Sequence, residues 1–132
     1  MTVIRTFQKM TVLLVPLTLG LLMASCGDSA SDLNADATVV KHYYKSSPPP
    51  RGWKIKSVGV EDGDKIIVDI LVESANDLNM IASVSRMQQF IVAKQACPSV
   101  AALRGALKTN VGVWVQLRSK SEVLTQSVCP SQ

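Results

Sequence analysis

The sequence predicts an α+β fold: a small antiparallel or mixed sheet of about four strands, with helices on one face, in the order αββααββ. Three observations carry this. In the stretches 65–73 and 111–118 apolar residues recur with the two-residue period of strands, the first being mostly apolar on both faces. Glu61-Asp62-Gly63-Asp64 has the Asp-Gly centre of a tight hairpin turn. Between the two alternating stretches, residues 78–95 switch to helical spacing.

The elements follow in order. Residues 27–37 (GDSASDLNADA) are small and polar without apolar periodicity, the composition of a flexible tether. Val39, Val40, Tyr43 and Tyr44 fall on one stripe of a short helix over 36–46, with Asp36 as its start cap. A stripe of this kind is first a packing face; with His42 beside it, a binding edge is the second reading. Ser46 to Pro50 stops the helix, and Pro48-Pro49-Pro50 favours a stiff extended connector.

Trp53 to Val60 reads as a strand whose parity changes midway, so a bulge is expected near Ser57. The acids of the following turn, with Asp69 beyond, lack the ordered ligand spacing of a calcium loop. The strongest strand is Lys65–Glu73, with Ile66, Val68, Ile70 and Val72 on one face. Ser74 to Asp77 offers caps for one helix over 78–95. Its stripe of Met80, Val84, Met87 and Ile91, widened by Ile81 and Phe90, is expected to pack in the core. A methionine-rich groove for clients is the alternative. Cys97-Pro98 ends that helix, and Val100, Leu103 and Leu107 mark a second one over 100–108. Val111, Val113, Val115 and Leu117 then define a strand, and Val123–Cys129 a fourth.

The first residues have a different character. Arg5 and Lys9 form a positive head without acids, followed by an apolar run from Met10 to Ala24. Head, apolar core and small-residue exit are the layout of a secretory signal peptide. The run is shorter than the roughly 20 residues a spanning helix needs, and it holds Pro16 and Gly20. Leu22-Met23-Ala24-Ser25-Cys26 resembles the lipobox of bacterial lipoproteins, with Met23 in place of the usual Leu. The resemblance implies cleavage before Cys26 and a lipid on its thiol. It implies an outer-membrane, periplasm-facing address as well, because Gly27 lacks the Asp that marks inner-membrane retention. Two or three acyl chains hold a protein stably to a bilayer. The implied division is 1–25 as signal peptide, 26–50 as lipidated N-terminus, tether, short helix and Pro-rich linker, and 51–132 as a periplasmic α+β domain.

With Cys26 lipidated, Cys97 and Cys129 remain as an even pair in an oxidising compartment, and a disulfide between them is expected. Closing that loop is worth about 3.5–4 kcal/mol in the chain-entropy model. Two free buried thiols are the alternative. Two thiols and the distant His42 do not make a zinc set, so no metal site is expected.

Of the formal charge of +4, Arg5 and Lys9 account for two, leaving +2 on the mature chain. The charge is blocked: residues 61–77 hold six acids and one base, whereas 78–132 hold six bases and one acid. Such blocks are solvated surface first and a polar partner surface second. The single histidine, the absence of a nucleophile elbow and the absence of a phosphate-binding glycine pattern point away from catalysis and from a cofactor. Dispersed basic residues point away from nucleic acid. Two roles remain. One is a non-catalytic, membrane-anchored component that binds another cell-envelope protein. The other is a ligand- or lipid-binding module with a cavity lined by Met80, Met87 and Phe90. Cys26→Ser is expected to abolish acylation and release the protein from membranes; membrane fractionation and intact mass check this, and unchanged fractionation without lipid mass would refute it.

Overall fold

The structure, a computed structural model, describes residues 27–130. The signal-like stretch and Cys26 lie outside the described residues. The chain runs α1 (Gly27–Ser46), a 3-10 turn (Pro50–Gly52), β1 (Lys54–Glu61), β2 (Lys65–Leu71), α2 (Ala75–Ser83), α3 (Arg86–Lys94), α4 (Val100–Leu103), β3 (Gly112–Arg118) and β4 (Val123–Val128). The four strands form one mixed sheet in the order β1-β2-β3-β4, an α+β fold. The outer pairs are antiparallel and the central pair, β2 with β3, is parallel.

Strand alternation sets the layers. Ile66, Val68 and Ile70 of β2 and Val113, Val115 and Leu117 of β3 are all buried on one face. They share a single apolar core with residues of α1, α2, α3 and α4. Each such fully buried aliphatic side chain contributes about 1.5–3 kcal/mol through removal from water. The expected bulge in β1 is present between Ile55 and Ser57. It lets Ile55, Val58 and Val60 all reach the helix side, where they are half-buried against the core. In the hairpin, Asp62 (φ 54°) and Gly63 (φ 72°) both take left-handed backbone, as a primed turn requires. Lys65 draws Glu61 and Asp62 together at 3.4 and 3.1 Å. The turn's carboxylates therefore meet an ammonium group.

Two expectations are corrected. The segment read as a tether is helical, so α1 spans 20 residues rather than beginning at 36. The reason is a longer stripe, Leu33, Ala37, Val40 and Tyr44, spaced one helical turn or two apart and buried throughout. Asp36, on the same stripe, is no cap. It is fully buried and accepts hydrogen bonds from the Lys108 N–H (2.7 Å), the Thr109 N–H (2.8 Å) and the Thr109 hydroxyl. α1 thus belongs to the folded body. Its tyrosines extend the attachment: the Tyr44 hydroxyl donates to the Ala96 carbonyl at 2.6 Å, and the Tyr43 hydroxyl accepts from the Ser99 N–H at 3.2 Å. His42 is exposed.

The second correction concerns the single helix over 78–95, which is two helices. Ser85 interrupts it with a capping box: its side chain accepts from the Gln88 N–H while the Gln88 side chain accepts from the Ser85 N–H. The Gln89 amide then donates to the Ile81 carbonyl at 2.9 Å, partnering an acceptor freed at the end of α2. The break turns α3 relative to the expected stripe. Ala93 becomes its buried residue, while Met87, Phe90 and Ile91 face outward.

Burial alone would raise the Asp36 pKa, but the bonds from Lys108 and Thr109, with the Lys108 charge, outweigh it and hold the carboxyl below its ordinary 3.8. A carboxyl depressed in the folded state lends stability above the unfolded pKa and loses it as pH falls through the folded one. Asp36→Ala removes the acceptor of the Lys108 and Thr109 N–H groups and is expected to cost about 1–3 kcal/mol in urea unfolding near neutral pH. Asp36→Asn is expected to flatten the wild type's loss of stability below pH 3.8; an unchanged acid limb in the variant would refute the assignment.

Candidate functional site

Among the described residues, the exposed large apolar side chains are Met87, Phe90 and Ile91 of α3 and Val123 and Val128 of β4. Their fractional exposure runs from 40% at Phe90 to 69% at Met87. Met87, Phe90 and Ile91 lie on the helix that packs against β4, and Val123 and Val128 lie on β4 itself, so exposed apolar side chains gather around one sheet edge, the kind of surface that marks a contact site.

The elements that build the patch are held together at both ends. β4 is an edge strand, and α3 packs on β4 and β3. At one end, Arg86, Gln89 and Phe90 line a groove of about 370 Å³ with residues 123–126. At the other, Cys97 and Cys129 are joined as a disulfide with Cα atoms 5.5 Å apart, within the usual bridging range. The Cys129 N–H also donates to the Val113 carbonyl at 2.8 Å. The two cysteines singled out by sequence thus fasten the segment after α3 to the end of β4, beneath the exposed surface.

Backbone pairing defines the free edge. Val113 with Cys129, Val115 with Ser127 and Leu117 with Thr125 follow each other at two-residue steps. Their N–H and C=O groups point into the sheet, so those of Gln126 and Val128 point away from it. The two sheet edges differ in chemistry. β1 carries Lys54, Lys56 and the bulge, features that disfavour edge pairing. β4 reads VLTQSV and carries no charge and no proline. Two buried side-chain polar atoms have no hydrogen-bond partner among the described residues: Arg118 Nε, and the Thr125 hydroxyl, in a buried side chain lining the groove.

The sheet face opposite the helices holds a second hollow of about 330 Å³, bordered by Ser57, Gly59, Ile67, Asp69, Gln116 and Arg118. Its opposite charges pair across the hollow, although Arg118 Nε has no partner among the described residues. Arg118 Nη1 lies 3.1 Å from the Asp69 carboxylate, and the Gln116 amide donates to it at 3.3 Å. Among the described residues no group of three His, Cys, Asp or Glu side chains is placed to hold a metal ion. No protein-family model, curated protein or solved structure matches the chain.

Sequence reading found the cysteine pair but placed Met87, Phe90 and Ile91 on a core stripe. The missed signal is Ser85-x-x-Gln88, a capping-box pattern that restarts the helix and resets its face. Met87→Ser and Ile91→Ser are therefore expected to change unfolding free energy by no more than about 0.5 kcal/mol. Ile81→Ala, at a fully buried site, is expected to cost about 2–5 kcal/mol. Comparable losses at all three in chemical denaturation would refute the assigned orientation of α3.

Proposed function

We propose that this chain is a membrane-anchored, periplasm-facing lipoprotein, lipidated at Cys26, that works without catalysis as a protein-binding component of envelope assembly. The observation that carries the docking role is the confinement of the large exposed apolar side chains, among the described residues, to α3 and the β4 edge. Surface apolar groups scattered singly need no explanation, whereas several gathered around an unpaired strand edge suit a partner. The lipobox-like Leu22 to Cys26 supports the anchor and the outer-membrane address.

The ligand- or lipid-binding alternative needs a cavity lined by Met80, Met87 and Phe90. Met87 and Phe90 face solvent, and the groove beside Phe90 is open and partly polar, with Arg86, Gln89, Thr125 and Gln126 in its walls. This arrangement favours the docking role.

Crosslinking in intact cells followed by purification of the tagged full-length chain is expected to recover a specific envelope protein. The double variant Phe90→Ser, Ile91→Ser is expected to reduce that recovery at least tenfold with an unchanged thermal midpoint. Equal recovery by the variant, or no specific protein with the wild type, would overturn the proposal.

A further inference from the structure

We infer that β4 receives an extended segment of a different protein as a fifth strand, apolar where it passes α3 and carrying carboxylates for Arg86 and Lys94. This rests on the docking role proposed above and specifies its mode and its partner's chemistry.

The edge supplies the backbone half of the match. Gln126 and Val128 direct unpaired N–H and C=O groups outward from an uncharged strand, and main-chain pairing of this kind is the basis of strand addition. The side chains supply the other half. Thr125 and Ser127 share the helix-covered side of the sheet with Val115 and Leu117, their register partners. Val128 shares the open side with its partner Trp114. An added strand continues this pleat. Alternate side chains lie beside Phe90 and Ile91 on the helix side, and the others lie beside Val128 on the open side. Apolar surface therefore wraps the edge on both sides. A segment in extended conformation meets both at once, whereas a helix laid along the edge meets one side and leaves the β4 backbone groups unpaired. Thr125, whose buried hydroxyl lacks a partner, lies where the incoming strand passes.

The charges select the occupant. Arg86 and Lys94 stand at the two ends of α3, which carries no acid. Neither takes part in any ion pair among the described residues. α3 runs alongside β4, with Arg86 near 123–126 and the Cys97 end near Cys129. Eight helical steps separate the two cations, about 12 Å, which an extended chain covers in about four residues. The incoming segment accordingly carries acids about four residues apart, flanking apolar positions. A second copy of this chain fits poorly. Its β4 would present Thr125 and Ser127 toward the apolar side chains of α3, and its own Arg86 and Lys94 would double the positive charge.

The test places a benzophenone amino acid at position 126 or at position 90 of the full-length chain, with photolysis in intact cells and sequencing of the adducts. Position 126 is expected to capture an extended, alternating segment with carboxylates about four residues apart. Arg86→Glu with Lys94→Glu is expected to cut that adduct at least fivefold, and Arg86→Gln with Lys94→Gln to cut it less. Capture at 126 of a second copy of this chain, a helical segment or a basic segment would overturn the inference, as would a yield insensitive to charge reversal. Adducts from 90 but none from 126 would overturn strand addition and leave the docking role standing. No adducts from either position would overturn the docking role itself.

Discussion

The parallel pairing of β2 with β3 is the constraint from which the remaining architecture follows. Antiparallel neighbours can be joined by a tight turn, as β1 and β2 are. Parallel neighbours require the chain to return to the starting end of the sheet, so the connection must cross a face. Here the crossing consists of α2, α3 and α4. With α1 it covers the face built from Ile66, Val68, Ile70, Val113, Val115 and Leu117, and among the described residues no helix covers the opposite face. Among the described residues β4 pairs with β3 alone and so forms an edge of the sheet, and α3 packs on it.

A crossing made of short helices needs fastening, and α1 provides it. Asp36 binds the two backbone N–H groups at 108 and 109, where the crossing turns down into β3. Tyr44 and Tyr43 hold the joint between α3 and α4 at Ala96 and Ser99. On the far side, Asp77 in α2 accepts from Trp53 Nε1 at 3.0 Å and pairs with Arg51 at 3.2 Å. This secures the chain between α1 and β1, including Arg51 in its left-handed conformation. The cysteine pair completes the set at the β4 end. The polar contacts of the domain thus concentrate where loops meet the helical layer.

Much of this was legible in the sequence, because strand periodicity is local and survives without tertiary information. The faces of β2 and β3, the β1 bulge and the Asp62-Gly63 turn all came from residue order. The parallel relation of the central pair did not, since periodicity fixes which face a residue takes and not which strand lies beside it. Two misreadings share one physical origin. Leu33 and Ala37 are spaced for a helix but sit among polar residues, and composition outweighed spacing. Met80 to Ile91 looks like one apolar stripe only if the helix is continuous; a local Ser-Gln hydrogen-bond exchange rotates half of it. The proposed docking surface depends on that rotation, so it was hidden even though each of its side chains was in view.

The helical state of the segment after Gly27 bears on how the domain is carried. Under the proposed lipidation of Cys26, the residues expected to form a flexible tether are turns of α1 instead. A rod of 20 residues, about 30 Å long, packed along its later turns onto the sheet, makes the anchor and the docking edge parts of one lever. The domain would pivot about its attachment point and sweep a shallow cap above the bilayer. Its partner's incoming segment would then have to lie within a single body length of the membrane surface.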